Sequence, residues 1–517
     1  MHWIDWTVVL LYAFGTLALG WYFGRGQRRT RDYFGGVMPS SLIGVSLFAT
    51  LLSTISYLSI PGEVLGKGPV YLVHYLAYPL VFVLLGFVIL PVYLRTPVTS
   101  AYELLEVRLG LSLRLLGAVM FLALRVVWMS LLVFLTAQGI AAVTGLGPAW
   151  VPTIVVVTGS FAVVYTTLGG LRAVVVTDVL QTILLFAGAL LVIATISWEL
   201  GGVQWFPTQW HGEIWDSQPL YSLDPSTRVT VLGTMLSMFF WMVCTSMGDQ
   251  VSVQRFMATG SAVAARRALA IQLCVGTVIG ATLGLVGLAL LGYLQMNPSA
   301  LPPEIALKAD ADLLFPWFIG SHLPIVVTGL VVAGLFAAAM SSIDSGVNSI
   351  TAVVLTDFFE RLSAGTRNDA TQFRSARLLA LVIGVMVILL ATSIGQIPGN
   401  FMAVTNKTVN LLTAPIAVLF FFALFVPFAN SAGVWVGTLA SVAVAVAIAF
   451  SRQLFGATDT GLDPVSFQWI TPAAMLTGVC VGSLACWAVR FFSYDMRQRQ
   501  LDHEDEGNPP DLYGPPD

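Results

Sequence analysis

Six polar side chains interrupt one of the most apolar stretches of the chain. Ser341, Ser342, Asp344, Ser345, Asn348 and Ser349 fall within the run Ala337–Ser349, deep in an apolar segment that begins near Pro324. In hydrocarbon such a run is costly and must face partners or water inside the protein. A carboxylate among hydroxyls and backbone carbonyls offers hard oxygen ligands, which suit a small alkali cation and not a soft transition metal. Two further ionisable groups share this setting. Arg125 lies about twelve residues into its segment, roughly 18 Å deep at helical rise, and Asp178 lies about six residues, ~9 Å, from the end of its own. Arg125 has several readings: a bidentate clamp on a carboxylate, a structural pair with Asp178 or Asp344, or a snorkelling side chain. Covalent chemistry has no comparable support. His2, His74, His211, His322 and His503 are scattered, and no Ser/His or His/Glu constellation sits at matching depth, so no enzyme is expected. The four cysteines (Cys244, Cys274, Cys480, Cys486) all fall in apolar segments, which points away from a disulfide or transition-metal framework.

The elements that must position these groups follow from composition. The chain has 517 residues, 57% hydrophobic and only 10% charged, whereas soluble proteins carry about 25% charged residues. It belongs in a bilayer. A spanning helix needs about 20 apolar residues, and thirteen such spans are predicted: 3–23, 41–64, 70–94, 113–143, 148–168, 172–198, 228–252, 266–293, 324–359, 376–396, 401–427, 432–452 and 470–493. The first is too long for a signal sequence, and its basic residues follow it, so it is read as a retained helix. Arg25, Arg28, Arg29 and Arg31 place that side in the cytoplasm by the positive-inside rule. Alternating from there puts eighteen Lys and Arg inside and five outside (Lys67, Arg228, Lys308, Lys407, Arg452), with Arg125 left in the membrane. The N terminus is then outside and the C terminus cytoplasmic, in a plasma (inner) membrane. A net charge of −3 provides no basic surface for nucleic acid. Residues 199–227 are rich in Trp and Pro, as an interfacial cap would be, and the polar tail from 495 is expected to be disordered.

Within the second span, Ser53-Thr54-Ile55-Ser56 and Ser59-Ile60-Pro61-Gly62 weaken the helix, since Pro removes a backbone donor and Gly adds flexibility. Two readings stay open: a plain proline kink, or an interruption whose freed carbonyls bind ions and solutes, as in inverted-repeat transporters. The seventh span is polar in its second half (Thr245, Ser246, Gly248, Asp249, Gln250). Spans two to six and seven to eleven match in number and start on opposite sides, the arithmetic of an inverted repeat. The expected fold is therefore all-α integral membrane, with about 13 transmembrane helices and a 5+5 inverted-repeat core. The units are a leading helix and basic linker (1–40), the repeats (41–198 and 228–430) around an extracytoplasmic loop (199–227), two trailing helices (431–494) and the tail (495–517).

Three motifs carry a family resemblance: Gly169-Gly170-Leu171-Arg172-Ala173-Val174-Val175-Val176-Thr177-Asp178-Val179-Leu180-Gln181, Asp249-Gln250-Val251-Ser252-Val253-Gln254-Arg255, and Tyr102-Glu103-Leu104-Leu105-Glu106-Val107-Arg108-Leu109-Gly110. With the polar run, they resemble the sodium:solute symporters, which have the LeuT-like inverted-repeat fold, over about residues 5–495. The resemblance implies a main sodium site on the carbonyls of Ala49, Leu52 and Ala338 and the hydroxyls of Ser341 and Ser342. Some members hold a second cation where this chain has Asp178, Ser341, Asp344 and Ser345; Asp344 departs from the usual hydroxyl. It is open whether Asp344 serves a second Na⁺, a proton shared with Asp178, an ion pair with Arg125, or a solvated exit path.

The resemblance implies a sodium-coupled secondary active symporter importing a small solute. Ile55 and Ser56 stand where sugar carriers place an acid–amide pair, and residues 53–63 and 102–110 look more like the branch carrying monocarboxylates, vitamins and iodide. A small organic anion such as a monocarboxylate is expected; sugar, amino-acid or vitamin uptake is the alternative. Thr54, Ser56, Tyr57, Arg125, Trp128, Trp241, Thr245 and Asn406 are the side chains expected around it. The rival class is an uncoupled channel or membrane sensor on the same fold. Expected partners are the substrate, Na⁺ as coupling ion and the lipid bilayer, with the monomer functional.

Overall fold

Long apolar segments in lipid can satisfy their backbone only as helices, and every regular element among the described residues is a helix. The computed structural model describes residues 1–25, 37–95, 100–216, 219–301, 303, 305–308, 310–361, 369–394, 401–458 and 463–506; most of the basic linker after the first span, and the tail beyond 506, lie outside them. In order come α1 (Trp3–Gly24), α2 (Ser40–Leu51), α3 (Thr54–Lys67), α4 (Pro69–Tyr93), α5 (Glu103–Leu109), α6 (Leu111–Thr144), α7 (Pro148–Thr167) and α8 (Gly170–Glu199). There follow α9 (Val231–Gly248), α10 (Gln250–Met257), α11 (Ala262–Met296), α12 (Ala311–His322), α13 (Val327–Glu360), α14 (Arg374–Ser393), α15 (Phe401–Phe425), α16 (Ser431–Ala449) and α17 (Ile470–Glu506). Among the described residues twelve helices are long and apolar enough to span a membrane, and α2 with α3, bent by 65°, make a thirteenth span.

Two of these spans are broken, at corresponding places in the two five-span sets. The first break falls at Leu52 and Ser53, both extended, where the Ser53 hydroxyl caps α3 by accepting the Ser56 N–H at 3.2 Å. Pro61, expected to share in the interruption, instead lies inside α3. It sits where α3 crosses α11: a Cβ added to Gly287 would stand 2.4 Å from the Pro61 carbonyl oxygen, so glycine permits the close approach. The second break corrects the expected continuous span 228–252. α9 ends at Asp249, whose extended backbone (φ −92°, ψ 119°) turns the chain into α10 and whose carboxylate accepts the Val251 N–H at 2.9 Å. A carboxylate at a helix start is a favoured cap.

α13 lies at the centre and is buried along almost all its length. Its start is held from the leading helix. Asp5 accepts the N–H groups of Val326 (2.8 Å) and Gly329 (3.1 Å), and Val326 adopts an unusual φ of 76°. At its other end, buried Asp357 accepts from Arg114 (2.7 Å) and Ser100 (2.5 Å). The 199–227 loop covers the end of α3: the Trp215 indole donates to the Leu65 carbonyl (3.1 Å), and the tryptophans pack on Gly68, where φ is 98°. α17 continues as helix to Glu506, past the start of the tail at 495; residues 495–506 contain Met, Arg, Gln, Leu and Glu, strong helix formers, with no glycine or proline.

Candidate cation and solute sites

The break after Leu51 strips the last carbonyls of α2, Ala49 among them, of the next turn's N–H donors. α13 passes the same point. The Thr54 hydroxyl donates to the Leu335 carbonyl (3.0 Å) and the Thr50 hydroxyl meets the Ser345 hydroxyl at 3.1 Å, so the turns of α13 between them run along the break. Leu335, Ala338 and Ser342 share one face by helical spacing, and Ala49, Leu52, Ala338, Ser341 and Ser342 are all buried. The Ser342 hydroxyl has no hydrogen-bond partner among the described residues. Ser341 differs: its hydroxyl donates to Asp178 at 2.5 Å, which leaves its lone pairs free for a cation.

Asp178 anchors a closed network beside these hydroxyls. It accepts from Ser46 (2.5 Å) and from Arg255 (3.4 Å), and the same guanidinium donates to the hydroxyls of Ser46 (2.9 Å) and Ser345 (2.5 Å) and to the Val251 carbonyl (3.2 Å). Arg255, assigned by sequence to the cytoplasmic surface, is fully buried. Its guanidinium occupies the space between Asp178 and Ser345. Asp344 accepts from the Thr166 hydroxyl on one oxygen, and its other oxygen has no hydrogen-bond partner among the described residues.

Arg125 does not pair with Asp178 or Asp344. It is hydrogen-bonded to Asp249, across the second break, and both side chains are 10% exposed. This pair lies in the wall of a cavity of about 170 Å³. Of the side chains named from sequence as solute contacts, Ser56, Arg125, Trp128, Trp241, Thr245 and Asn406 line it. Thr54 and Tyr57 do not: Thr54 bonds α13, and the Tyr57 hydroxyl donates to the Leu185 carbonyl of α8 (3.2 Å), because both lie on the face of α3 turned away from the break's open side. Sequence reasoning missed Thr50, Tyr71, Tyr75, Gln272, Asn410 and, above all, Asp249. The signal for Asp249 was present. Trp241, Thr245 and Asp249 recur every four residues and so share one helix face. Many cavity atoms are buried without partners among the described residues: Arg125 Nε, Thr245 Oγ1, Gln272 Oε1, Thr405 Oγ1 and Asn410 Oδ1. Buried polar groups are nearly always satisfied, so these atoms mark the polar part of the cavity wall.

Two broken helices meeting a polar central helix, beside a cavity with several unpartnered polar groups in a largely apolar wall, are the layout of a membrane transporter. Residues 33–441 match the sodium:solute symporter family, and the chain belongs to it. A sodium/sialic acid symporter of Proteus mirabilis is 30% identical over 475 residues, covering 87% of this chain and 90% of its own. Sodium-coupled monocarboxylate transporter 1 of Mus musculus is 29% identical (85% and 72% covered), and the sodium-dependent multivitamin transporter of Oryctolagus cuniculus is also 29% identical (89% and 72%). Among solved structures, a Na⁺-coupled sialic acid symporter in a substrate-bound outward-open state, with a novel Na⁺ site, superposes with TM-score 0.80 at 27% identity, over 93% of this chain and 97% of that one. The protein is thus a multi-pass, sodium-coupled symporter of the all-α, 5+5 inverted-repeat class, and not an enzyme.

Proposed function

We propose that this symporter imports a small solute bearing a carboxylate, held by Arg125 in the cavity between the two breaks. The observation that carries this reading is Arg125 itself: a guanidinium in the cavity wall, with Nε unpartnered among the described residues. The names of the relatives, sialic acid and monocarboxylate carriers among them, agree with a carboxylate. Na⁺ binds the carbonyls of Ala49, Leu52 and Ala338 and the hydroxyls of Ser341 and Ser342, a reading supported by the Ser342 hydroxyl, buried with no hydrogen-bond partner among the described residues. Asp178, Asp344 and Ser345 serve the inward exit of that ion and not a second Na⁺, since the Arg255 guanidinium already lies between Asp178 and Ser345.

Ion and solute sites adjoin: Thr50 and Leu52 line the cavity and belong to the turn that presents the carbonyls. Occupancy of one therefore pre-orders the other, which couples the two gradients. Each Na⁺ moving down 100 mV contributes about 2.3 kcal/mol, and each tenfold concentration ratio about 1.4 kcal/mol more. The N terminus faces outward, the C terminus the cytoplasm, and one chain holds the whole site. Uptake of labelled carboxylates, sialic acid and sugars into proteoliposomes tests the reading. A carboxylate should concentrate under an inward Na⁺ gradient, and Arg125→Ala should abolish this; sugars concentrating instead, or uptake indifferent to Arg125→Ala, would overturn it.

A further inference from the structure

Among the described residues, the cavity wall contains one acid and one base of the Asp, Glu, Lys and Arg types: Asp249 and Arg125. They are in direct contact, and each is about nine-tenths buried. A solute carboxylate that engages Arg125 must share or take the guanidinium that now satisfies Asp249. A buried carboxylate left without its partner is strongly unfavourable. Asp249 cannot follow its partner or turn to solvent, because it starts α10 and holds the Val251 N–H at 2.9 Å, where the helix N terminus favours its negative charge. A plain carboxylate that takes the unpartnered Nε therefore shares one guanidinium with Asp249, which leaves two carboxylates on a single cation and a net charge of −1 in a buried site. A neutral solute leaves the pair closed and the Arg125 Nε unmatched.

The geometry points to a zwitterion, a small solute carrying both a carboxylate and a cationic nitrogen, whose nitrogen is received by Asp249. Such a solute replaces one internal pair by two intermolecular pairs and keeps the net charge of the site at zero. The surroundings suit it. Thr245, whose hydroxyl is unpartnered among the described residues, and Trp241 lie one and two turns before Asp249 on the same face of α9. Trp is the best aromatic partner for a cation. The cavity volume of about 170 Å³ is close to the roughly 150 Å³ that encloses a benzene molecule, which suits a solute of amino-acid size. This inference rests on the reading that the cavity holds the transported solute; it adds that Asp249 sets the charge type selected.

The test compares solutes of one skeleton in proteoliposomes under an inward Na⁺ gradient: protein amino acids, β-alanine and glycine betaine, each beside its nitrogen-free acid and its carboxylate-free amine, with sialic acid and glucose. At least one zwitterion should concentrate with Na⁺, and its nitrogen-free acid should enter at least about 100-fold less efficiently, as expected when a buried polar partner is left unpaired. Asp249→Asn should collapse that discrimination to below about tenfold by admitting the nitrogen-free acid, while Asp249→Glu retains it. If the Asn variant misfolds, sodium-dependent thermal stabilisation of the wild-type protein by the zwitterion, and its absence with the acid, gives the same answer. Concentration of only nitrogen-free acids, sialic acid or glucose would overturn the zwitterion while leaving symport intact. Sodium-indifferent entry of every solute would overturn both.

Discussion

Replacing Asp178 by Asn tests the electrostatics of the sodium site without changing side-chain shape. The Ser341 hydroxyl donates to Asp178 at 2.5 Å. An ion on the same oxygen at about 2.4 Å, the distance hard cations of this size keep, lies roughly 5 Å from the carboxylate. A unit charge at that separation contributes about 3 kcal/mol at an effective dielectric constant near 20. Loss of that charge should raise the Na⁺ concentration for half-saturation on the order of 100-fold, at 1.4 kcal/mol per tenfold. Tryptophan fluorescence reads it out, since Trp128 and Trp241 line the adjoining cavity; Na⁺ is titrated against choline at constant ionic strength, with no solute needed. The single variant also strands the buried Arg255, a loss of several kcal/mol in stability. Asp178→Asn with Arg255→Gln removes that burden and the repulsive guanidinium together, so its half-saturation should fall between those of wild type and the single variant. A folded variant titrating within about threefold of wild type would refute the reasoning.

Three further outcomes follow from the frame around the site. Asp5→Ala removes the carboxylate from the start of α13 and should lower stability by about 1–2 kcal/mol, read as a lower melting temperature in detergent. Arg114→Met leaves buried Asp357 without its cation and should cost about 3–5 kcal/mol; Arg361→Ala, removing an exposed partner of Glu106, should cost less than about 1 kcal/mol. Burial pushes Asp312, on the outer helix α12, up to about 7, although the Phe401 N–H opposes this. The unfolded value is about 3.9, so between roughly pH 4 and 7 the folded chain binds more protons than the unfolded one. That contribution is fully present at the acid end and is lost as pH rises through 7. Asp312→Asn should flatten the slope of melting temperature against pH in this window.

The spans were legible because each needs a long apolar run, and nothing else in the sequence competes with that signal. The polar run of α13 was legible for the same reason: its hydroxyls stand out against hydrocarbon. The exact break was harder. Pro61 and Gly62 are the stronger helix breakers, yet the chain bends at Leu52–Ser53, because α3 begins with a serine cap while Pro61 and its glycine neighbour serve close packing on α11 and α12. Ion-pair partners were least legible. Arg125 reaches Asp249, more than a hundred residues away, and Arg255 turns inward to Asp178 although positive-inside counting sends it to the surface. Pairing depends on which helix faces meet, and hydropathy does not encode that. Helical spacing along 241, 245 and 249 did encode which face of α9 looks into the cavity.

Coupling is tested most directly in reverse. Proteoliposomes are loaded with radiolabelled Na⁺ equal to that outside, and an inward gradient of the transported solute is imposed. The entering solute should carry Na⁺ with it, so that internal labelled Na⁺ rises above the external level and returns as the solute gradient decays. Solute entry with labelled Na⁺ staying level would mean an uncoupled pathway on this fold, and would contradict the account.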